Sequence, residues 1–293
     1  MIPSITKKEF EQLKDYIEKN CGILVDEDKQ YLIEGRLSNL VEQTGCSTFG
    51  EFYNKITTRH DQQLQDSVID AITTNETMWF RDRSLWTLLE DVFLPKYIRE
   101  LRTGSRDRVR IWSAACSTGQ EPYSIAMTID SYFRKHGITD IDRHRFQILA
   151  TDISHSVLEK ARRGVYDNIS MARGMDLFYR NRYFVQKDNM WVISENIRNM
   201  VEFRQFNLQK SFSGLGTFDL VFLRYVMIYF SQAMKSGVLK KMAHVLNPDG
   251  VLLVGNSEVF IDYHGQYKRH VKDNVVYYQL KETTDETNHI PVL

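Results

Sequence analysis

Asp152 is an acid placed for ligand chemistry. It closes an apolar run, FQILATDIS over residues 146–154, that reads as a buried strand. A carboxylate at that position can accept both hydroxyls of a ribose. It can equally cap the helix that follows. The stretch 109–124, VRIWSAACSTGQEPYS, has a matching form. Val109, Ile111 and Trp112 read as a strand, and residues 113–119 are all small. Pro122 stands where a helix can begin, since its missing N–H costs nothing in the first turn. Strand, small-residue loop and helix together bring a nucleotide-like ligand to a helix N-terminus, and small side chains let it approach the backbone. With Gly119 as its one glycine, the loop is neither a dinucleotide fingerprint nor a P-loop. It suits a cofactor without a pyrophosphate, such as S-adenosylmethionine, and it equally suits an ordinary βα turn.

Other candidates cluster at predicted strand ends. Glu121 can face a ligand or complement the dipole of its helix. Asn207 can bond an adenine edge or cap a turn. Tyr225 and Tyr229 follow the apolar run TFDLVFLR, which ends at Arg224, so they stand at the carboxyl edge of a sheet or simply pack there. The eight histidines show no metal spacing, and no Gly-x-Ser-x-Gly elbow is present. Cys116 reads as a small loop residue rather than a nucleophile. No metal site is expected.

The elements that must hold these residues divide the chain in two. Residues 1–75 read as four short helices. Thr6 and Glu9 form a capping box before the first, Asp26 is placed to cap the second, Thr48 and Glu51 suggest a box for the third, and Leu64, Val68 and Ile72 mark the fourth. A polar-aromatic linker, 73–83, leads to a helix from Ser84 to about Arg102. Residues 76–293 then alternate strand and helix, which implies a mostly parallel, doubly wound sheet. Asn247-Pro248-Asp249-Gly250 reads as a turn closing a helix, and Lys272-Asp273-Asn274 as the turn of a final hairpin. Residues 182–207 interrupt the alternation with three β-like runs and read as an inserted antiparallel subdomain.

Composition narrows the function classes. The 293 residues carry 38 basic and 38 acidic side chains, which argues against a broad nucleic-acid surface. Three scattered cysteines make no disulfide framework, and a reducing, cytoplasmic setting is expected. No apolar run reaches membrane-spanning length, and the N-terminus lacks a signal-peptide core. The polar stretch KETTDETNHIPVL at the end reads as frayed.

Six motifs in order give the chain a resemblance to the CheR family, the bacterial chemotaxis-receptor glutamate methyltransferases. They are CGILVDEDKQYLIEGRL, TTNETMWFR, IWSAACSTGQEPYSIAM, TDISHSVLEKARRGVY, FDLVFLRYVMIYF and LNPDGVLLVGNSE. The resemblance implies a class I methyltransferase fold that binds S-adenosylmethionine and releases S-adenosylhomocysteine. Carried over by position, cofactor contacts fall on Asn75, Thr77, Arg81, Glu121, Asp152, Asn207, Leu208, Arg224 and Tyr225. The functional arginine and tyrosine fall on Arg81 and Tyr229. The implied substrate is a glutamate of a chemoreceptor cytoplasmic domain, and the inserted subdomain corresponds to the receptor-docking element, where a receptor tail would bind. The chain departs from the family in two places. Tyr225 stands where the family usually has asparagine, and after Arg36 the second helix carries Ser38, Asn39 and Glu42 where more arginines are usual. A competing class is a cofactor-binding regulatory or scaffold protein with little or no transferase activity.

Overall fold

The computed structural model describes residues 4–58 and 61–282, so most of the polar C-terminal stretch lies outside the described residues. The first part of the chain is four helices around their own apolar core, which includes Phe10, Leu13, Leu37, Phe52 and Val68. Helix α1 (Lys7–Cys21) has both arms of the Thr6–Glu9 capping box and ends on Gly22, whose φ of 74° is the left-handed stop that glycine supplies. Helix α2 (Gln30–Gln43) starts later than the sequence suggests. Asp26 instead accepts the Lys29 N–H on its carbonyl and the Lys29 ammonium on its side chain, so residues 26–29 turn before the helix begins. For α3 (Phe49–Thr58), Thr48 accepts the Glu51 N–H, but the Glu51 carboxylate accepts from Ser47 N–H, leaving half of the expected box. Asp61 caps α4 (Gln62–Ile72).

The expected helix after the linker is two α-segments, α5 (Arg83–Leu88) and α6 (Leu94–Thr103), joined by a π turn at Leu89–Phe93. Pro95 lacks the N–H for an α turn and its ring crowds the carbonyl of Asp91, so the helix widens there. Strand β1 (Val109–Ala114) then leads into helix α7 (Gln120–Lys135), and β2 (Phe146–Asp152) into α8 (His155–Arg163). The remaining elements of the main sheet are β6 (Val201–Gln205), β7 (Phe218–Leu223), β8 (Leu246–Leu253), β9 (Tyr267–Lys272) and β10 (Val275–Leu280), with a helix (Gln232–Ala243) before β8. The seven strands run in the order β6-β2-β1-β7-β8-β10-β9. Those from β6 to β8 are parallel, and β10 is antiparallel to both neighbours. The expected final hairpin is present, with Asp273 and Asn274 both at positive φ, as a tight hairpin turn requires. Two apolar cores flank the sheet.

Two sequence expectations are corrected. The third run of 182–207 is not part of the insertion. It is β6, an edge strand of the main sheet, paired in parallel with β2. The small antiparallel sheet is built from β3 (Val165–Asp167), β4 (Phe184–Lys187) and β5 (Met190–Ile193), in the order β3-β5-β4. Period-two patterning marks a strand but not its partner, and buried Val201 fits the large core. The residues 247–250 are not a turn. They lie inside β8, and its register against β7 slips between Phe218 and Leu220, which makes a bulge. Gly250 permits it, since a Cβ there would stand 2.8 Å from the Asn247 carbonyl oxygen and 2.9 Å from that of Phe218.

Among the described residues no helix is long and apolar enough to cross a membrane.

Candidate active site

The sheet reverses direction of winding at β1. The chain steps from β1 to β2 on one side and later places β7 on the other. Ligands of open parallel sheets bind outside the carboxyl ends of the strands at such a switch point. A cleft opens there, with about 970 Å³ of empty space including its mouth. All the residues singled out above line it: Asn75, Thr77, Arg81, Glu121, Asp152, Asn207, Leu208, Arg224, Tyr225 and Tyr229. They arrive from the linker, from α7 and from the ends of β2, β6 and β7. The linker is therefore a wall of the cleft and not a spacer.

The loop after β1 shapes the floor. Ala115 and Ser117 have φ of 61° and 50°, and Gly119 has 93°. At Gly119 a Cβ would press 3.0 Å from that of Ala161 and 3.2 Å from the Tyr166 hydroxyl, so both the conformation and the space demand glycine. The Ser117 N–H donates to Asp152 Oδ2 at 2.8 Å, and its hydroxyl donates to the Asn75 carbonyl at 2.9 Å. One serine thus joins floor, linker and β2.

Asp152 does not cap the next helix. Ser154 does, accepting from the Val157 N–H. Asp152 is 6% exposed and accepts one N–H on each oxygen, from Ser117 and from Ser154. Each oxygen keeps a further lone pair for a ligand hydroxyl. Burial pushes its pKa up, against those two N–H donors. The residue fits a ribose diol.

Arg224 is the electrostatic centre. Its side chain is 1% exposed, and it donates to Glu121 Oε2 at 2.6 Å and to Asp82 Oδ2 and the Arg81 carbonyl, each at 2.7 Å. Glu121 also accepts from the Ser113 hydroxyl at 2.7 Å, so it is a strut of this network as well as a lining residue. Burial pushes the Asp82 carboxyl up, but hydrogen bonds from Arg224 and Tyr225 and the arginine charge outweigh it and hold it below the ordinary range. Glu258 accepts from the N–H groups of Tyr225 and Gly255 at 2.6 and 2.9 Å, and burial raises its pKa. Asp82 and Glu258 sit behind the lining and are residues that the sequence reading missed. Two carboxylates, Asp82 and Glu121, pair with Arg224, while Glu258 and Asp152 are held by backbone N–H groups.

Arg81 differs from Arg224. Its guanidinium lies 3.2 Å from the centroid of the Tyr225 ring and has no hydrogen-bond or ion-pair partner among the described residues. The Tyr229 hydroxyl likewise has none. Neither cysteine that lines the cleft is poised as a nucleophile, because burial pushes Cys21 up to about 12 and Cys116 well above its usual value. Among the described residues no group of three or more histidine, cysteine, aspartate or glutamate side chains could hold a metal.

The helical bundle closes one side of the cleft. The Leu24 N–H donates to the Tyr229 carbonyl at 2.8 Å, and Ile23 forms a bridge with Phe230. Asn207 caps a local turn by accepting from Gln209 N–H, and donates to the Asn20 carbonyl at the end of α1 at 2.7 Å. Arg36 does not stand free on the surface of α2. Its guanidinium donates to the Ile72 carbonyl and to the Thr74 hydroxyl at the head of the linker.

Residues 8–73 match the family model described as CheR methyltransferase, all-alpha domain, and residues 75–276 match CheR methyltransferase, SAM binding domain. The chain is 43% identical over 251 residues to the chemotaxis protein methyltransferase Cher2 of Pseudomonas putida, covering 85% of this chain and 90% of that one. It is 41% identical to chemotaxis protein methyltransferase 1 of Pseudomonas aeruginosa, over 90% of this chain and 95% of the relative. The chemotaxis protein methyltransferase of Borreliella burgdorferi is 35% identical over 87% of this chain and 89% of its own. With the cleft at the switch point and a family match across both parts, the chain belongs to the CheR methyltransferase family: it is a class I methyltransferase of chemotaxis that uses S-adenosylmethionine.

Proposed function

We propose that this enzyme methylates glutamate side-chain carboxylates in the cytoplasmic domain of a chemoreceptor, giving glutamyl methyl esters. The observation that carries the reading is Arg81: a guanidinium in the cleft wall with no anionic partner of its own. A free guanidinium is a receptor for a carboxylate. The acceptor needs no base, since a glutamate of pKa about 4.3 is already ionised at neutral pH. The cofactor supplies the methyl group on its sulfonium. Within this reading Asp152 holds the ribose, Asn207 lies toward the adenine, and Asn75, Thr77, Leu208 and the Glu121–Arg224 pair shape the remaining walls. Arg81 receives the acceptor carboxylate, and the Tyr229 hydroxyl orients it. The work left to the protein is alignment and exclusion of water.

The same reading divides labour between residues 1–75 and 76–293. The bundle would face the receptor's methylation helices, and the small β-sheet would take the receptor tail as an added strand. Val185, 61% exposed on the edge strand β4, supports the second assignment.

Labelled methyl transfer to membranes carrying an unmethylated chemoreceptor tests the chemistry. The expected product releases volatile methanol in mild alkali. Base-stable label would exclude a carboxylate acceptor. Tight cofactor binding with no transfer to any receptor would favour a regulatory or scaffold role.

A further inference from the structure

We infer that Tyr225 is the positioning residue for Arg81: its ring is the shelf on which the guanidinium lies, and its hydroxyl, bonded to Asp82, fixes the shelf. The inference rests on the reading of Arg81 as the group that receives the acceptor carboxylate.

Four observations carry it. The 3.2 Å separation of guanidinium and ring centroid is a close face-on approach, of the kind that cation–π pairs use. The phenol donates to Asp82, with both carboxylate oxygens in reach at 2.7 and 2.9 Å, and Asp82 is itself paired with buried Arg224. The ring also lies against Gly255. A Cβ on Gly255 would stand 2.9 Å from Cε1 and Cζ of that ring, so the place exists only because residue 255 is glycine. Finally, the backbone of Tyr225 is left-handed, with φ of 59°. That conformation is costly for a bulky residue, whereas asparagine tolerates it. Strain of this kind persists where the surroundings over-determine a residue, and it gathers at functional sites.

The physical consequence concerns Arg81 alone. An arginine with no counter-ion has many rotamers, and binding an acceptor would have to freeze them. The shelf removes that freedom beforehand and leaves the donor edge of the guanidinium open. The task differs from contact with the cofactor, and it gives a reason for an aromatic residue at a left-handed position.

A double-mutant cycle on the full-length enzyme tests it, with membranes carrying one unmethylated chemoreceptor as acceptor and S-adenosylhomocysteine as the calorimetric ligand. Tyr225→Asn suits the backbone and removes the shelf. It should lower kcat/KM about tenfold in the wild-type background, and less than about twofold once Arg81→Ala is present. In each variant the loss of affinity for S-adenosylhomocysteine should be smaller than the loss of kcat/KM. Tyr225→Phe keeps the ring and should retain most of the activity. Equal losses in both backgrounds, or loss of S-adenosylhomocysteine affinity in step with activity, would overturn the positioning role and leave Arg81 untouched. A normal kcat/KM for Arg81→Ala alone would instead remove Arg81 from the chemistry, and this inference with it.

Discussion

At the scale of single residues, Asp152 links burial to cofactor affinity. Burial raises its pKa, so the protonated form is favoured in the folded protein. Its contribution to stability is therefore full below the ordinary carboxylate value of about 4 and is lost as pH rises through the raised value. Cofactor binding runs the other way, because only the ionised carboxylate accepts two hydroxyls. Affinity for S-adenosylhomocysteine should weaken on acidification from neutral pH, and the onset should lie above the ordinary carboxylate range. Asp152→Ala should cost about 1.5–3 kcal/mol of binding at neutral pH and flatten that profile. Titration calorimetry from pH 7.5 down to about 5 decides it; an unchanged affinity in the folded variant would reduce Asp152 to a loop anchor. Asp152 is legible in the sequence because it ends an apolar run. Asp82 and Glu258 are not, since each gains its meaning only when Arg224 or Tyr225 arrives from more than 30 residues away.

At the scale of elements, the loop geometries follow from local residues, and the joints between elements do not. The β1 loop, the caps of α1 and α4 and the last hairpin rest on contacts within a few positions, so the sequence reveals them. The partner of β6, the bulge of β8 and the tether of α2 depend on distant chain. Arg36 illustrates the difference. On a helical wheel it is a surface charge for an acidic receptor, yet in the fold it clamps the Ile72 carbonyl and the Thr74 hydroxyl, just before Asn75 enters the cleft. Arg36→Ala should release the linker, weaken S-adenosylhomocysteine binding severalfold and cost about 1.5–3 kcal/mol of stability, the range for hydrogen bonds from a charged donor. Denaturant unfolding and calorimetry measure both. Loss of receptor affinity with cofactor affinity and stability intact would restore the surface role.

At the scale of the whole molecule, the cleft is shared. The bundle supplies Cys21 and Ile23 to its lining, and the Asn20 carbonyl in the last turn of α1 accepts from Asn207. Arg81 therefore shares its cleft with residues from both parts of the chain. The small sheet reaches the β1 loop through Tyr166, whose hydroxyl donates to the Thr118 carbonyl at 2.8 Å, and β4 is its outer strand. Its remaining residues are not dispensable: Tyr183, Phe184, Ile193 and Ile197 belong to the main core, so excising the insertion would unfold the enzyme. A single exposed change is the better probe. Val185→Asp should weaken binding of a receptor C-terminal peptide roughly tenfold, while transfer to a receptor lacking that tail stays unchanged. Equal peptide binding by the variant, measured by fluorescence anisotropy, would place the tail elsewhere.

The place of β10 has a consequence for biosynthesis. It follows β9 in the chain, yet it lies inside the sheet, between β8 and β9. While the ribosome still holds residues 275–280, Val251, Leu252 and Leu253 of β8 form an apolar ladder with one side unpaired. An open edge of that kind recruits other strands. The sheet can close only after Leu280 leaves the exit tunnel. Its completion therefore trails that of the parallel strands, and the interval before it is when the chain most needs a chaperone.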